Sequence, residues 1–176
     1  MKLHVGCGKR YISGWTNVDI LEGPTADIID DAKTLKTIED SSCDMVYACH
    51  ILEHFGRHEF KDILKVWYTK LCKGGTLRLS VPDFDKVIDV YKKTDDIEMF
   101  LGFLVGGQKD EYDFHNMIFN YKLLSEVLLG IGFKNIKRWD WRTVEHSEVD
   151  DYSQAYLPHM DKENGTLMSL NIECTK

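Results

Sequence analysis

Apolar and polar positions along this chain follow two rhythms that trade places from one end to the other. Short runs rich in β-branched and aromatic residues, bounded by turn formers, predict strands over 2–5, 16–20, 26–30, 43–49, 76–81, 135–141 and 167–174. Between them the apolar spacing becomes helical. Residues 57–71 place Phe60, Ile63, Leu64, Trp67 and Leu71 on one face, with Gly74 and Gly75 as the expected left-handed stop. Residues 84–93 repeat the pattern with Phe84, Val87, Ile88 and Tyr91. Residues 121–131 do so with Leu124, Val127, Leu128 and Ile131, ended by Gly132. Stripes at this spacing are core faces. The alternation predicts an α/β fold, Rossmann-like, with a mostly parallel sheet covered by helices on both faces. Residues 142–166 form a long polar connection, expected to be either a lid or binding loop or a solvated excursion.

Composition narrows the partners more than the fold. The 176 residues carry no repeat or linker and fit a single domain spanning 1–176. A formal charge of −7 with no basic run argues against a nucleic-acid partner. No apolar run approaches the roughly 20 residues needed to span a bilayer. The chain is expected to enter a strand at Lys2, so no signal peptide is expected. Cys7, Cys43, Cys49, Cys72 and Cys174 form no CxxC pair, so reduced thiols and a cytoplasmic location are expected. A homodimer is compatible with all of this.

The chemistry begins at the first strand's end. Val5-Gly6-Cys7-Gly8 lets the backbone turn tightly and bring a ligand against the main chain. A dinucleotide site wants a third glycine near position 11, where Lys9, Arg10 and Tyr11 stand, so NAD or FAD is disfavoured. The next strand ends at Asp19, placed to accept hydrogen bonds from ribose hydroxyls. The third ends in Asp30-Asp31-Ala32, where a carboxylate beside a small residue suits an adenine amino group.

With these features the sequence resembles the class I S-adenosylmethionine-dependent methyltransferases. More narrowly, it is similar to a family of small methyltransferases often linked to surface-polysaccharide synthesis. The matching stretches are VGCGKRYISGWTNVDI at 5–20, CDMVYACHILEHF at 43–55, KGGTLRLSVPDFDKV at 73–87 and GGQKDEYDFHNMIF at 106–119. The resemblance implies a seven-stranded sheet whose final strand is antiparallel. It implies S-adenosylmethionine as cofactor, held at Gly6, Gly8, Asp19 and Asp31, with Cys7 and Ala32 in the same turns. The chain at Cys49 and His50 would close over the methionine end.

His50, Glu53 and His54 fall at i, i+3 and i+4 and admit three readings. As H-x-x-E-H they match an inverted zinc-peptidase signature, in which two histidines bind zinc and the glutamate activates water. By resemblance to small-RNA 2′-O-methyltransferases, which bind a divalent metal here, His115 would complete a set of His50, Glu53, His54 and His115. His50 stands where those enzymes have a glutamate, which favours a softer ion than magnesium if any binds. Otherwise Glu53 and His54 simply organise the strand-to-helix turn. A divalent metal is therefore not favoured at this level.

Transfer from a sulfonium needs an aligned acceptor and a place for its proton. His115 is the expected base, and Asp83, after Pro82, is expected to position the hydroxyl or orient His115. Tyr152, Tyr156 and His146, with His159, would line the acceptor side, a composition suited to a sugar. The leading expectation is O-methylation of a sugar, glycan or other small-molecule hydroxyl. A non-catalytic scaffold of the same fold and a zinc hydrolase are the alternatives.

Overall fold

A computed structural model describes all of residues 1–176. Its strands, in chain order, are β1 (Lys2–Val5), β2 (Thr16–Asp19), β3 (Ile28–Ile29), β4 (Cys43–Cys49), β5 (Leu71–Pro82), β6 (Lys134–Arg138), β7 (Tyr156–Leu157), β8 (Thr166–Leu167) and β9 (Ser169–Thr175). The helices are α1 (Phe60–Lys70), α2 (Phe84–Thr94), α3 (Leu101–Val105) and α4 (Tyr121–Ile131). Seven strands form one sheet in the order β3-β2-β1-β4-β5-β9-β6. β1 to β5 pair in parallel, and β9 runs antiparallel between β5 and β6. The sheet is the Rossmann-like one expected. β7 and β8 form a separate hairpin pair, so the expected last strand, 167–174, is split. No helix is long and apolar enough to cross a membrane.

Period-two alternation sends each strand's side chains to two different cores. Leu3 and Val5, Val18, Val46 and Ala48, Leu77 and Leu79, and Leu170 and Ile172 all join one apolar cluster, covered by α1 and α4. Trp67 of α1 is fully buried there, and its Nε1 donates to the Ala32 carbonyl at 2.8 Å, pinning the chain after β3.

The opposite face is polar. His4, Asn17, Tyr47, Arg78, Ser80 and Asn171 are all buried on it. Helices were expected on both faces, yet the apolar cluster on this one, around Tyr47, Trp15 and Trp139, contains no α-helical residue. The connection expected as a lid or a solvated excursion lies across it as 3₁₀ turns (Trp141–Thr143 and Tyr152–Gln154) and meets the strands polar group to polar group. Tyr47 Oη donates to Asp151 Oδ2 at 2.7 Å, Asn171 Nδ2 to the Ser153 carbonyl at 2.9 Å, and Arg78 Nη1 to Glu145 Oε2 at 3.1 Å. A short connection without regular structure links β1 to β2 because Asn17 holds it. Its Nδ2 donates to the Ile12 and Trp15 carbonyls, and its Oδ1 accepts the Ile12 N–H.

Two stripes differ from expectation. α1 ends at Lys70, before the glycines, because fully buried Leu71 already pairs with Cys43 in β5. Gly74, at φ 81°, instead serves the bulge between the Cys43–Leu71 and Met45–Thr76 pairs. In α2 the buried positions are Val87 and Val90, while Tyr91 is exposed. Val87 and Val90 pack with Phe100 and Met168 in a small cluster past the end of β5.

Candidate active site

Two cavities open where the parallel strands end, the place an open α/β sheet binds its ligands. The first, of about 570 Å³, is lined by Gly6, Gly8, Asp19, Asp31 and Ala32 together with residues of the 50–55 turn. Gly6, at φ 67°, is required twice: the conformation is left-handed, and a Cβ there would overlap the Ile51 side chain. At Gly8, φ 51°, the space a Cβ would fill is open. Asp19 holds the loop in place. Its Oδ2 accepts the Gly8 N–H at 2.7 Å and its Oδ1 the Leu21 N–H at 3.0 Å, which leaves each oxygen a lone pair for a ligand hydroxyl. Asp31 faces the same cavity, whereas neighbouring Asp30 also bonds the Thr37 backbone and hydroxyl. Exposed Ile20, Leu21 and Phe114 add apolar wall that the strand-end acids alone did not point to.

The second cavity, of about 610 Å³, is lined by His115, Tyr152, Tyr156 and His159, with Arg10 and Lys109 as cations not foreseen. His50 and His54 line both cavities. His50 adopts φ 50°, so β4 ends in a sharp turn whose N–H still bonds the Ser80 carbonyl at 2.8 Å. Its Nε2 lies 2.9 Å from Ser169 Oγ, and its ring is tilted against Tyr152 at 5.3 Å.

The chain at 114–117 is stitched to residues 53–54 from far away in sequence. The Asn116 and Met117 N–H groups both donate to the Glu53 carbonyl, at 2.8 and 3.1 Å, and Asn116 Nδ2 donates to the His54 carbonyl at 2.8 Å. This brings His115 opposite Glu53 and His54. Glu53 is completely buried, and neither carboxylate oxygen has a hydrogen-bond partner. His50 Nδ1 lies 3.2 Å from Glu53 Oε1, close enough for an ion pair but without hydrogen-bond geometry. Burial pushes Glu53 up to about 8 and, with the nearby His115 and His54 rings, pushes His50 down to about 3. Both shifts disfavour the charged forms that an ion pair would need. Burial also lowers His54 and His115.

Several expected site residues lie elsewhere. Asp83 is completely buried and borders neither cavity. It caps α2 by accepting the Asp85 N–H at 3.2 Å and meets Arg138 Nη1 at 3.2 Å. His146 belongs to the core of the polar face, its ring 4.4 Å from Tyr47 and 5.3 Å from Trp15. Cys7 turns its thiol towards the Thr25 carbonyl, and Cys49 packs with the aromatic cluster beside Tyr47. Neither cysteine lines either of these two cavities. The peptidase-like spacing also dissolves: residues 52–54 form a single 3₁₀ turn, and His50 precedes it in a left-handed conformation. No α-helix carries His50 and His54 on one face.

No protein-family model matches the chain, and no curated protein matches its sequence. Solved structures do match. An S-adenosylmethionine-dependent methyltransferase from Archaeoglobus fulgidus aligns over 99% of this chain and 85% of its own, with a TM-score of 0.59 at 18% identity. One from Thermotoga maritima, named as a possible histamine N-methyltransferase, aligns over 99% and 81%, with a TM-score of 0.61 at 16% identity. The fold is that of S-adenosylmethionine-dependent methyltransferases. A third example of this methyltransferase fold is the 1,6-didemethyltoxoflavin-N1-methyltransferase of Burkholderia thailandensis, solved with bound 1,6-didemethyltoxoflavin and S-adenosylhomocysteine. It aligns over 99% of this chain and 69% of its own, with a TM-score of 0.59 at 14% identity. Identities this low speak to the fold alone.

Proposed function

We propose that the protein is an S-adenosylmethionine-dependent methyltransferase that methylates a hydroxyl of a small molecule, with a sugar or glycan as the favoured class. The observation that carries this reading is that the two cavities meet at His50 and His54. One has the glycine turn and paired strand-end acids a nucleoside needs, and the other is free for an acceptor. Bound S-adenosylmethionine supplies a methyl group already activated on a sulfonium, so methyl transfer itself calls for no metal.

The chain's own residues then have three tasks. Asp19 and the Gly6–Gly8 turn hold the nucleoside end, with Asp31 at the adenine. His50 separates the two ligands. His115 takes the acceptor proton: its Nδ1 donates to the Phe103 carbonyl at 3.0 Å, which fixes the tautomer and leaves the Nε2 lone pair free. Its lowered pKa keeps that lone pair available at neutral pH. A hydroxyl needs this service, because it must lose its proton as it attacks, whereas a neutral amine brings a ready lone pair. Tyr152, 63% exposed beside His50, offers a ring face for a sugar. The methyltransferases of similar fold include N-methyltransferases, so acceptor chemistry is the part that needs testing.

Calorimetric titration with S-adenosylhomocysteine tests the first half of the reading. At about 100 times the dissociation constant, binding stabilises the fold by ~2.7 kcal/mol and raises the melting temperature by roughly 5–10 °C. Absence of binding overturns the proposal.

A further inference from the structure

We infer that Glu53, His54 and His115 form a binding site for one divalent transition-metal ion of the zinc type, set behind the junction of the two cavities. Three observations carry it. The first is Glu53, a fully buried carboxylate with both oxygens unpartnered. Such a group is costly to bury unless something answers it. The second is convergence: one ligand atom from each of the three residues lies within 4.8 Å of the other two, with His115 Nε2 4.0 Å from Glu53 Oε1. Ligand atoms about 2.1 Å from a tetrahedral ion are roughly 3.4 Å apart, so a shift of about an ångström closes the set.

The third is the state of the two imidazoles. His54 Nδ1 donates to the Phe114 carbonyl at 3.1 Å, as His115 Nδ1 does to that of Phe103 at 3.0 Å. Each backbone acceptor fixes the proton on Nδ1, leaving both Nε2 lone pairs free to ligate, which is how outer-shell partners orient metal-bound histidines. Two imidazoles with one carboxylate select zinc, manganese, cobalt or iron over magnesium or calcium. His50 stays outside the set, with its Nε2 beside Ser169.

Three protein ligands leave coordination open towards the cavities that His54 borders. An acceptor oxygen bound there would be made more acidic by the ion and would release its proton to solvent, because the bound ion takes up the His115 Nε2 lone pair that serves as base in the metal-free protein. That role rests on the methyl-transfer reading, whereas the site does not.

The test uses tag-free, chelator-treated protein titrated with Zn²⁺ by calorimetry and with Co²⁺ by visible absorption. The wild-type protein should bind one equivalent of either ion, unaffected by millimolar Mg²⁺. Glu53→Gln should weaken binding at least about 100-fold, and His54→Ala should do likewise. His58→Ala, on the surface, should bind as wild type does. Near-UV circular dichroism checks that each variant is folded. If Glu53→Gln fails to fold, His54→Ala decides. Failure of wild-type protein to bind either ion, or retention of binding by the folded ligand variants, overturns the site. S-adenosylhomocysteine affinity measured on the same preparations separates the two readings, since loss of either binding event leaves the other intact.

Discussion

At Asp19 each carboxylate oxygen already accepts a backbone N–H, from Gly8 and from Leu21, so the residue shapes the glycine turn as well as meeting a ligand. Asp19→Asn keeps the size but turns one acceptor into a donor facing an N–H. We expect S-adenosylhomocysteine affinity to fall about 10–100-fold, the cost of roughly 1.5–3 kcal/mol for hydrogen bonds to a charged group. Calorimetry of the variant reads this directly, and an unchanged affinity would place the ribose elsewhere. His115 predicts the opposite division. His115→Ala should leave that affinity nearly unchanged while lowering transfer to an acceptor at least about 100-fold. Of these two residues, Asp19 was legible in the sequence because a strand-end acid after a glycine turn has a local signature. The partnership of Glu53 with His115 was less so. It depends on backbone hydrogen bonds between stretches some sixty positions apart, and on a tautomer fixed by carbonyls that no spacing encodes.

Elements were legible where one face alone is buried. α1 and α4 fall within three residues of expectation because their stripes meet a single apolar cluster. The sheet's polar face was not legible, since nothing in the alternation of the strands marks His4, Asn17, Arg78 and Asn171 as buried polar positions that a connection would cover where a helix was expected. Asp83 shows the same ambiguity at a helix start, where a cap and a catalytic acid look alike. As the N-cap of α2 with a partly exposed arginine partner, Asp83→Ala should cost about 1–3 kcal/mol of stability and leave cofactor affinity intact. Denaturant melts beside calorimetry separate the two outcomes.

His146 carries a pH prediction for the covering segment. Burial holds it down to about 4, below its unfolded value near 6.5, and neither ring nitrogen has a partner. Between these values the unfolded chain binds more protons, so this stability is full above pH 6.5 and is lost as pH falls through 4. The loss is on the order of 2–3 kcal/mol. His146→Phe fills the same space among Tyr47, Trp15 and Trp139 without titrating. It should shrink the drop in melting temperature between pH 7 and 4 by roughly 5 °C. An identical drop would assign the acid sensitivity to the other lowered histidines, His4, His50, His54 and His115.

Across the whole molecule, two long loops border the cavity lined by His115 and Tyr152, and they differ in how they are held. The connection after β6 is anchored to β4, β5 and β9 through Tyr47–Asp151, Arg78–Glu145 and Asn171–Ser153, and Gln154 adds bonds from its Nε2 to the Ser147 and Val149 carbonyls. Opening it would strip partners from buried polar groups on the sheet, so its exposure free energy should approach that of global unfolding. Residues 107–112 are exposed, and their hydrogen bonds are mostly local, to Asp110 and Asp113. They lie between α3 and the His115 stretch, with Gly107 and Lys109 on one cavity and Glu111 and Tyr112 on the other. If either loop closes over ligands, it is this one. Hydrogen exchange should therefore be slow for 151–154 whether or not S-adenosylhomocysteine is present, and fast for 107–112 until the ligand slows it. Equal and rapid exchange in both segments would mean that the polar face is uncovered in solution and that the long connection is a lid after all.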